Sequence, residues 1–221
     1  MHIHVSDEIR QRCPHFTGAA VFANVTNSAS NAALWQQIDS FISDYRTRYT
    51  PDSIKQMPAI LATREAYKAC GKDPSRYRPS GEALVRRTLK GQDLYHVDTL
   101  VDLINLASIA YGYSIGGFDA DKINGETLTL GIGREGEPYE GIGRGQLNIA
   151  GLPVYRDAEG GIGTPTSDHE RTKITLQTTH LLSIVNGYDG NHENVMACAR
   201  FISDLLQQFA SCTDCAIIEF P

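Results

Sequence analysis

The densest run of residues able to do chemistry is GGIGTPTSDHERT, Gly160 to Thr172. Its glycines expose backbone N–H groups, Thr164, Thr166 and Ser167 add hydroxyls, and Asp168 and Arg171 add one charge of each sign. Such a loop has the groups needed to hold a carbonyl, a ribose hydroxyl or a water. It leads into the apolar ITLQTTHLLSIVN, so buried structure anchors it, as is common for functional loops. A second group is the stripe Asp98, Asp102 and Asn105, spaced to share one side of a helix. It reads either as a helix cap with satisfied backbone neighbours or as one wall of a polar pocket.

Other patterns are emptier. Gly131-Ile132-Gly133-Arg134-Glu135-Gly136 has the spacing of a dinucleotide-binding loop. That loop needs a helix straight after its glycines, because the helix N-terminus binds the pyrophosphate. Here the glycines run into Glu135, Glu137 and Pro138 and then Gly141, which predicts strand, turn and strand, a hairpin with no cofactor. Cys212-Thr213-Asp214-Cys215 has the spacing of a metal knuckle but lacks a second ligand pair, so structural cysteines at a helix–strand junction are expected and no metal. The five cysteines are odd in number and scattered, against a disulfide scaffold. No G-x-S-x-G, H-E-x-x-H or G-K-[ST] motif occurs.

These groups must be positioned by a chain of 221 residues with formal net charge -6. That excludes a generally basic nucleic-acid binder, yet Arg64 to Lys90 holds eight basic residues against three acidic. The local excess reads as a face that focuses an anionic ligand or as the solvated side of a helical hairpin. No apolar run has the length of a membrane span, and the start MHIHVSDEIRQRC lacks a secretory signal, so the expectation is a cytoplasmic protein without a membrane partner.

Short strands are expected at His2 to Val5 and Thr17 to Asn27, with a helix from the cap-like Ser6 between them. Ser30 is the expected cap of a helix carrying Leu34, Trp35, Ile38, Phe41, Ile42, Tyr45 and Tyr49. Three helices follow: Pro58 to Cys70 stopped by Gly71, a second in RPSGEALVRRTLKG, and about Asp98 to Tyr111. In the second, Pro79 and Ser80, Glu82 and Gly91 are the residues that helix termini favour. Beyond Gly112, strands are expected at Thr127 to Leu130, Gln146 to Ile149, Leu152 to Tyr155, around Ile174, and at His180 to Val185. A helix at Asn191 to Ala210 and a closing strand in CAIIEF complete an α/β or α+β fold with helices layered on a sheet.

Three segments taken in order, YRPSGEALVRRTLKG, LVDLINLASIAYGYSIGGFDADKINGETLTL and SDHERTKITLQTT, resemble the editing domain of the bacterial phenylalanyl-tRNA synthetase β subunit, and more closely free-standing proteins made of that domain alone. The resemblance implies a layered sheet–helix domain over 1–221, with an editing-domain-like core at 57–209 and 1–56 as an N-terminal extension packed on it. It further implies hydrolysis of the ester of a mischarged tRNA by a positioned water, with no cofactor, or else a tRNA- or amino-acid-binding module of the same fold without turnover. The aminoacyl group is then expected near Asp102, Asn105, the Gly116–Gly117 bend, Asp119, Gly163 and Thr172. Thr164 would hold the water, Asp168 would share the catalytic role, and Arg171 would donate to the ester or phosphate. Arg76, Arg78, Arg86 and Arg87 would take the acceptor end of the tRNA. The chain departs from the synthetase pattern at Gly116, where a histidine usually stands, and near Ser183 and Ile184, where a carboxylate reads the tyrosine hydroxyl. The identity of the substrate side chain is therefore open.

Overall fold

Period-two alternation organises the central strands. In the computed structural model, which describes residues 1–221, the chain begins with β1 (His2–Val5), α1 (Asp7–Arg12), β2 (Thr17–Asn24) and α2 (Ala32–Arg48). Then come α3 (Pro58–Cys70), α4 (Ser80–Leu89), α5 (Thr99–Tyr111), β3 (Ser114–Asp119) and β4 (Thr127–Ile132). The two-residue strands β5 (Glu140–Gly141) and β6 (Gly145–Gln146) precede β7 (Pro153–Arg156) and β8 (Gly161–Gly163). The chain ends with β9 (His180–Gly187), α6 (His192–Phe209) and β10 (Cys215–Phe220).

One antiparallel sheet has the order β10-β2-β9-β3, and a second has the order β1-β4-β7-β8 with β1 parallel to β4. Along β2, Ala19, Val21 and Ala23 face α2, α5 and α6, while Ala20 and Phe22 face the second sheet. β9 alternates likewise, with Leu181 and Val185 on the helix side and Leu182 and Ile184 on the sheet side. The layers are therefore helices, sheet, sheet: the mixed α/β architecture expected from the sequence.

Residues 1–56 are not an extension laid on a separate core. β2 is hydrogen-bonded between β9 and β10 inside the first sheet, and β1 forms the edge of the second. The alternating apolar run Thr17 to Asn24 is buried on both faces, so it takes an interior position. Several local expectations also change. The glycine segment is not one hairpin, because β4 pairs with β1 and β7 and only the second glycine run forms the small β5–β6 turn. No helix follows Gly131–Gly136. Gly116 and Gly117 lie within extended β3, paired with β9, instead of forming a bend. No strand forms at 147–149 or at Ile174, and Asn31 rather than Ser30 caps α2. No helix is long and apolar enough to cross a membrane.

Candidate functional site

α4 is fixed against β3 by a close approach at its N-terminus. A Cβ on Gly81 would stand 2.7 Å from the carbonyl oxygen of Tyr113, so only glycine lets the two backbones meet. Two orphan N–H groups of this helix end are taken: Gly81 N donates to Ser114 Oγ at 3.1 Å and Ser80 N to the Pro165 carbonyl at 2.7 Å. Val85 and Leu89 pack on Ile60 and Ile109, each burial contributing about 1.5–3 kcal/mol. Glu82 is buried at 2% exposure and receives Arg64 at 3.0 Å and Arg86 at 2.9 Å, with Arg78 at 3.6 Å. One carboxylate thus orients three guanidiniums of the basic segment, leaving their outer edges to solvent.

α5 forms the opposite wall. Asp98 caps it by accepting from Val101 N at 2.9 Å. Asp102 points away from the wall: it accepts from the Trp35 indole N–H at 2.8 Å and from Val97 N at 3.0 Å. Burial pushes its carboxyl above the usual range, and those two donors oppose the rise. Asp102 therefore fastens the segment before α5 and does not reach the hollow. Asn105, one turn further, makes no side-chain hydrogen bond within the protein and faces the hollow.

The third wall comes from β3 and the turn after β8. Period two puts Ile115 and Gly117 on the α5 side and Gly116 on the other, where it packs against the Phe118 ring. A Cβ on Gly117 would come within 2.9 Å of Ile104 and 3.0 Å of Ile174, so its bare backbone keeps the space between them open. Gly117 N donates to Asp168 Oδ2 at 3.0 Å. Burial pushes the Asp168 carboxyl up to about 7, and this one hydrogen bond offsets only part of the rise. Its second oxygen has no hydrogen-bond partner in the protein and lies beside Gly163 and Gly116, while the residue lines the hollow.

The result is two adjoining pockets, one forming an apolar end of the site and the other a basic end. The apolar end, about 450 Å³, is walled by Val97, Val101, Ile104, Ile115, Ile142 and Ile174, with Asn105, Gly117, Asp168 and Lys173 as polar points. The basic end, about 560 Å³, is lined by Arg78, Arg86, Arg87, Lys90 and Arg144 among others. Asn105 and Ile142 line both, so the two pockets adjoin there. Ile142 is held over the junction by its N–H to the Asp168 carbonyl at 3.0 Å.

The structure brings together Asn105, Gly117, Asp168, Arg78, Arg86 and Arg87, with the loop residues Thr166 and Ser167 at the basic end, and leaves Thr164, Arg171, Asp102, Gly116, Asp119, Gly163, Thr172 and Arg76 outside the lining. Thr164 is consumed by its own turn: its hydroxyl donates to the Ser167 carbonyl and accepts from Thr166 N and Ser167 N. Arg171 is clamped by Asp157 at 2.9 and 3.0 Å and donates to the Lys122 carbonyl. Burial alone would raise the Asp157 carboxyl, but Arg171 and three backbone N–H groups hold it below the usual range. Asp119 accepts from Thr178 at 2.9 Å and pairs with Lys122 at 3.1 Å. Thr172 is fully buried, Gly163 packs on Phe118, and Arg76 is exposed beyond the basic end. Reading the sequence missed Lys173, Ile142, Arg144 and Tyr95. Arg144, in the tip of the second glycine run, was the most findable, since a turn displays its side chain.

Residues 62–209, roughly two thirds of the chain, match the B3/4 domain. The chain belongs to the B3/4 domain family. Its fold is similar to the crystal structure of an N-terminal fragment of the phenylalanyl-tRNA synthetase β-subunit from Pyrococcus horikoshii, with a TM-score of 0.51 and 13% identity. That likeness covers 100% of this chain and 54% of the fragment, so this B3/4 protein spans about half the fragment's length. No curated protein matches it.

Proposed function

We propose that this B3/4 protein binds the aminoacyl end of a mischarged tRNA and hydrolyses its ester. The observation that carries the reading is the junction at Asn105 and Ile142. There an apolar pocket of about 450 Å³ adjoins a groove of five cations, the two sharing Asn105 and Ile142 in their linings. Arginine and lysine suit phosphate, whose contacts fix position without reading sequence. The aliphatic chamber suits an apolar amino-acid side chain. Membership of the B3/4 family and the likeness to a tRNA synthetase fragment support the same substrate class.

The chemistry needs few groups. With its carboxyl near 7, Asp168 is about half ionised at neutral pH, where a general base works best. Water held by the Asp168 carboxylate where it borders the hollow loses a proton to it as the new bond forms to the ester carbonyl carbon. The Asn105 amide donates to the developing oxyanion. Collapse breaks the bond to the ribose oxygen, which recovers the proton from Asp168, and free amino acid and tRNA leave. Binding without turnover is the second reading, favoured by the loss of Thr164 and Arg171 from the site.

The test is release of labelled amino acid from a panel of mischarged tRNAs. Hydrolysis above the buffer rate is expected for apolar amino acids, falling about 10²-fold or more in Asp168→Asn with tRNA affinity kept. Buffer-rate hydrolysis of every substrate by folded protein that still binds tRNA would leave only the second reading.

A further inference from the structure

The segment joining α4 to α5 presents an aromatic ring that the mechanism above does not use. Tyr95 is 70% exposed, the most exposed of the large apolar side chains. The Arg87 guanidinium lies over its ring, 4.2 Å from the centroid, and Arg87 Nε donates to the Asp93 carbonyl. One face of the ring is therefore covered by a planar cation and the other is open.

The backbone on either side of the ring is held. Before it, Arg87 grips Asp93. After it, His96 stacks on Trp35 with centroids 3.4 Å apart and planes 6° from parallel, and Val97 N–H is fastened to Asp102 at 3.0 Å. Tyr95 is thus displayed by a fixed segment, and it lines the basic end beside Arg78, Arg86 and Lys90. A flat π face set among cations is the combination that holds an unpaired nucleobase together with its phosphates.

We propose that the open face of Tyr95 stacks the last unpaired base of the RNA whose esterified ribose enters at Asn105 and Ile142. This rests on the tRNA reading of the site and adds the subsite that sets its register. Stacking accepts any base, because every base has a π face. Tyr95 is then a positioning residue that aligns the ester with Asp168, and selection among amino acids stays with the aliphatic chamber.

The experiment measures binding of two single-stranded RNA oligonucleotides, one complete and one abasic at its 3′ nucleotide, to the full chain and to Tyr95→Phe and Tyr95→Ala. The wild type and Tyr95→Phe are expected to bind the complete oligonucleotide about ten-fold more tightly than the abasic one. Tyr95→Ala is expected to bind both at the abasic level, with an unchanged melting temperature because the ring is exposed. An equal loss on base removal in wild type and Tyr95→Ala overturns the stack and leaves the RNA reading standing. Failure of every form to bind either oligonucleotide overturns both. Adenosine monophosphate binding as tightly as the complete oligonucleotide would assign the platform to a free nucleotide and overturn the proposal.

Discussion

Replacing Asp168 with asparagine is expected to stabilise the protein while disabling it. Burial holds the folded carboxyl up at about 7, whereas in the unfolded chain it ionises near ~3.9. The folded state binds the proton more readily, and the sign follows from that. Asp168 favours folding fully below about pH 4, loses that contribution as pH rises, and has lost all of it above about pH 7. About three units at ~1.4 kcal/mol each set a ceiling of about 4 kcal/mol. Because the carboxyl borders an open hollow, about 2–4 kcal/mol is the expected range. Asparagine keeps an oxygen for the Gly117 N–H and carries no charge at any pH. Urea unfolding of both proteins between pH 4 and 8.5 reads the effect directly. The margin of Asp168→Asn over wild type should widen from pH 4 to about 7.5 and then level. Parallel curves, or a wild type more stable at pH 8, would refute the reasoning.

Three further outcomes follow from the same geometry. Glu82→Gln removes the only carboxylate shared by Arg64, Arg78 and Arg86, and should lower unfolding stability by about 1–3 kcal/mol; a change within about 0.5 kcal/mol would mean solvent already screens the cluster. Arg171→Ala leaves the buried Asp157 carboxylate to backbone donors alone, at a cost of about 2–4 kcal/mol, yet hydrolysis per folded molecule should be unchanged. Because the Asp157 carboxyl is held low, that cost should shrink below about pH 4, and a pH-independent difference would assign it to packing. Gly117→Ala pushes a methyl against Ile104 and Ile174, so it should weaken large apolar aminoacyl groups more than small ones; equal loss for all sizes would point to β3 distortion instead.

Much of this was legible in the sequence because it is local. Pro79, Glu82 and Gly91 delimit α4, and Asp98 and Gly112 delimit α5, by the steric and hydrogen-bonding demands of helix ends. Asn105, Gly117, Asp168 and three arginines were singled out from the residues and from the family resemblance. What escaped depended on long-range pairing. That β2 is interior follows from β9 and β10, nearly the whole chain away. Thr164 and Arg171 have the right chemistry, but their partners Ser167 and Asp157 consume it, and partner choice is not written in residue type. Gly116 and Gly117 look equivalent in sequence. The strand register alone decides that one faces Phe118 and the other the hollow. Tyr95 carries no signal in the sequence, because a single exposed aromatic in a polar segment becomes meaningful only beside Arg87 and the basic groove.

A crystal structure with a non-hydrolysable, amide-linked aminoacyl-adenosine bearing an apolar side chain tests the site most directly. The expected density puts the carbonyl between Asn105 and Asp168, the side chain against Ile104 and Ile174, and the ribose at the Ile142 junction facing the cations. Density at any other cleft, or a hollow that stays empty at saturating ligand, would contradict the account.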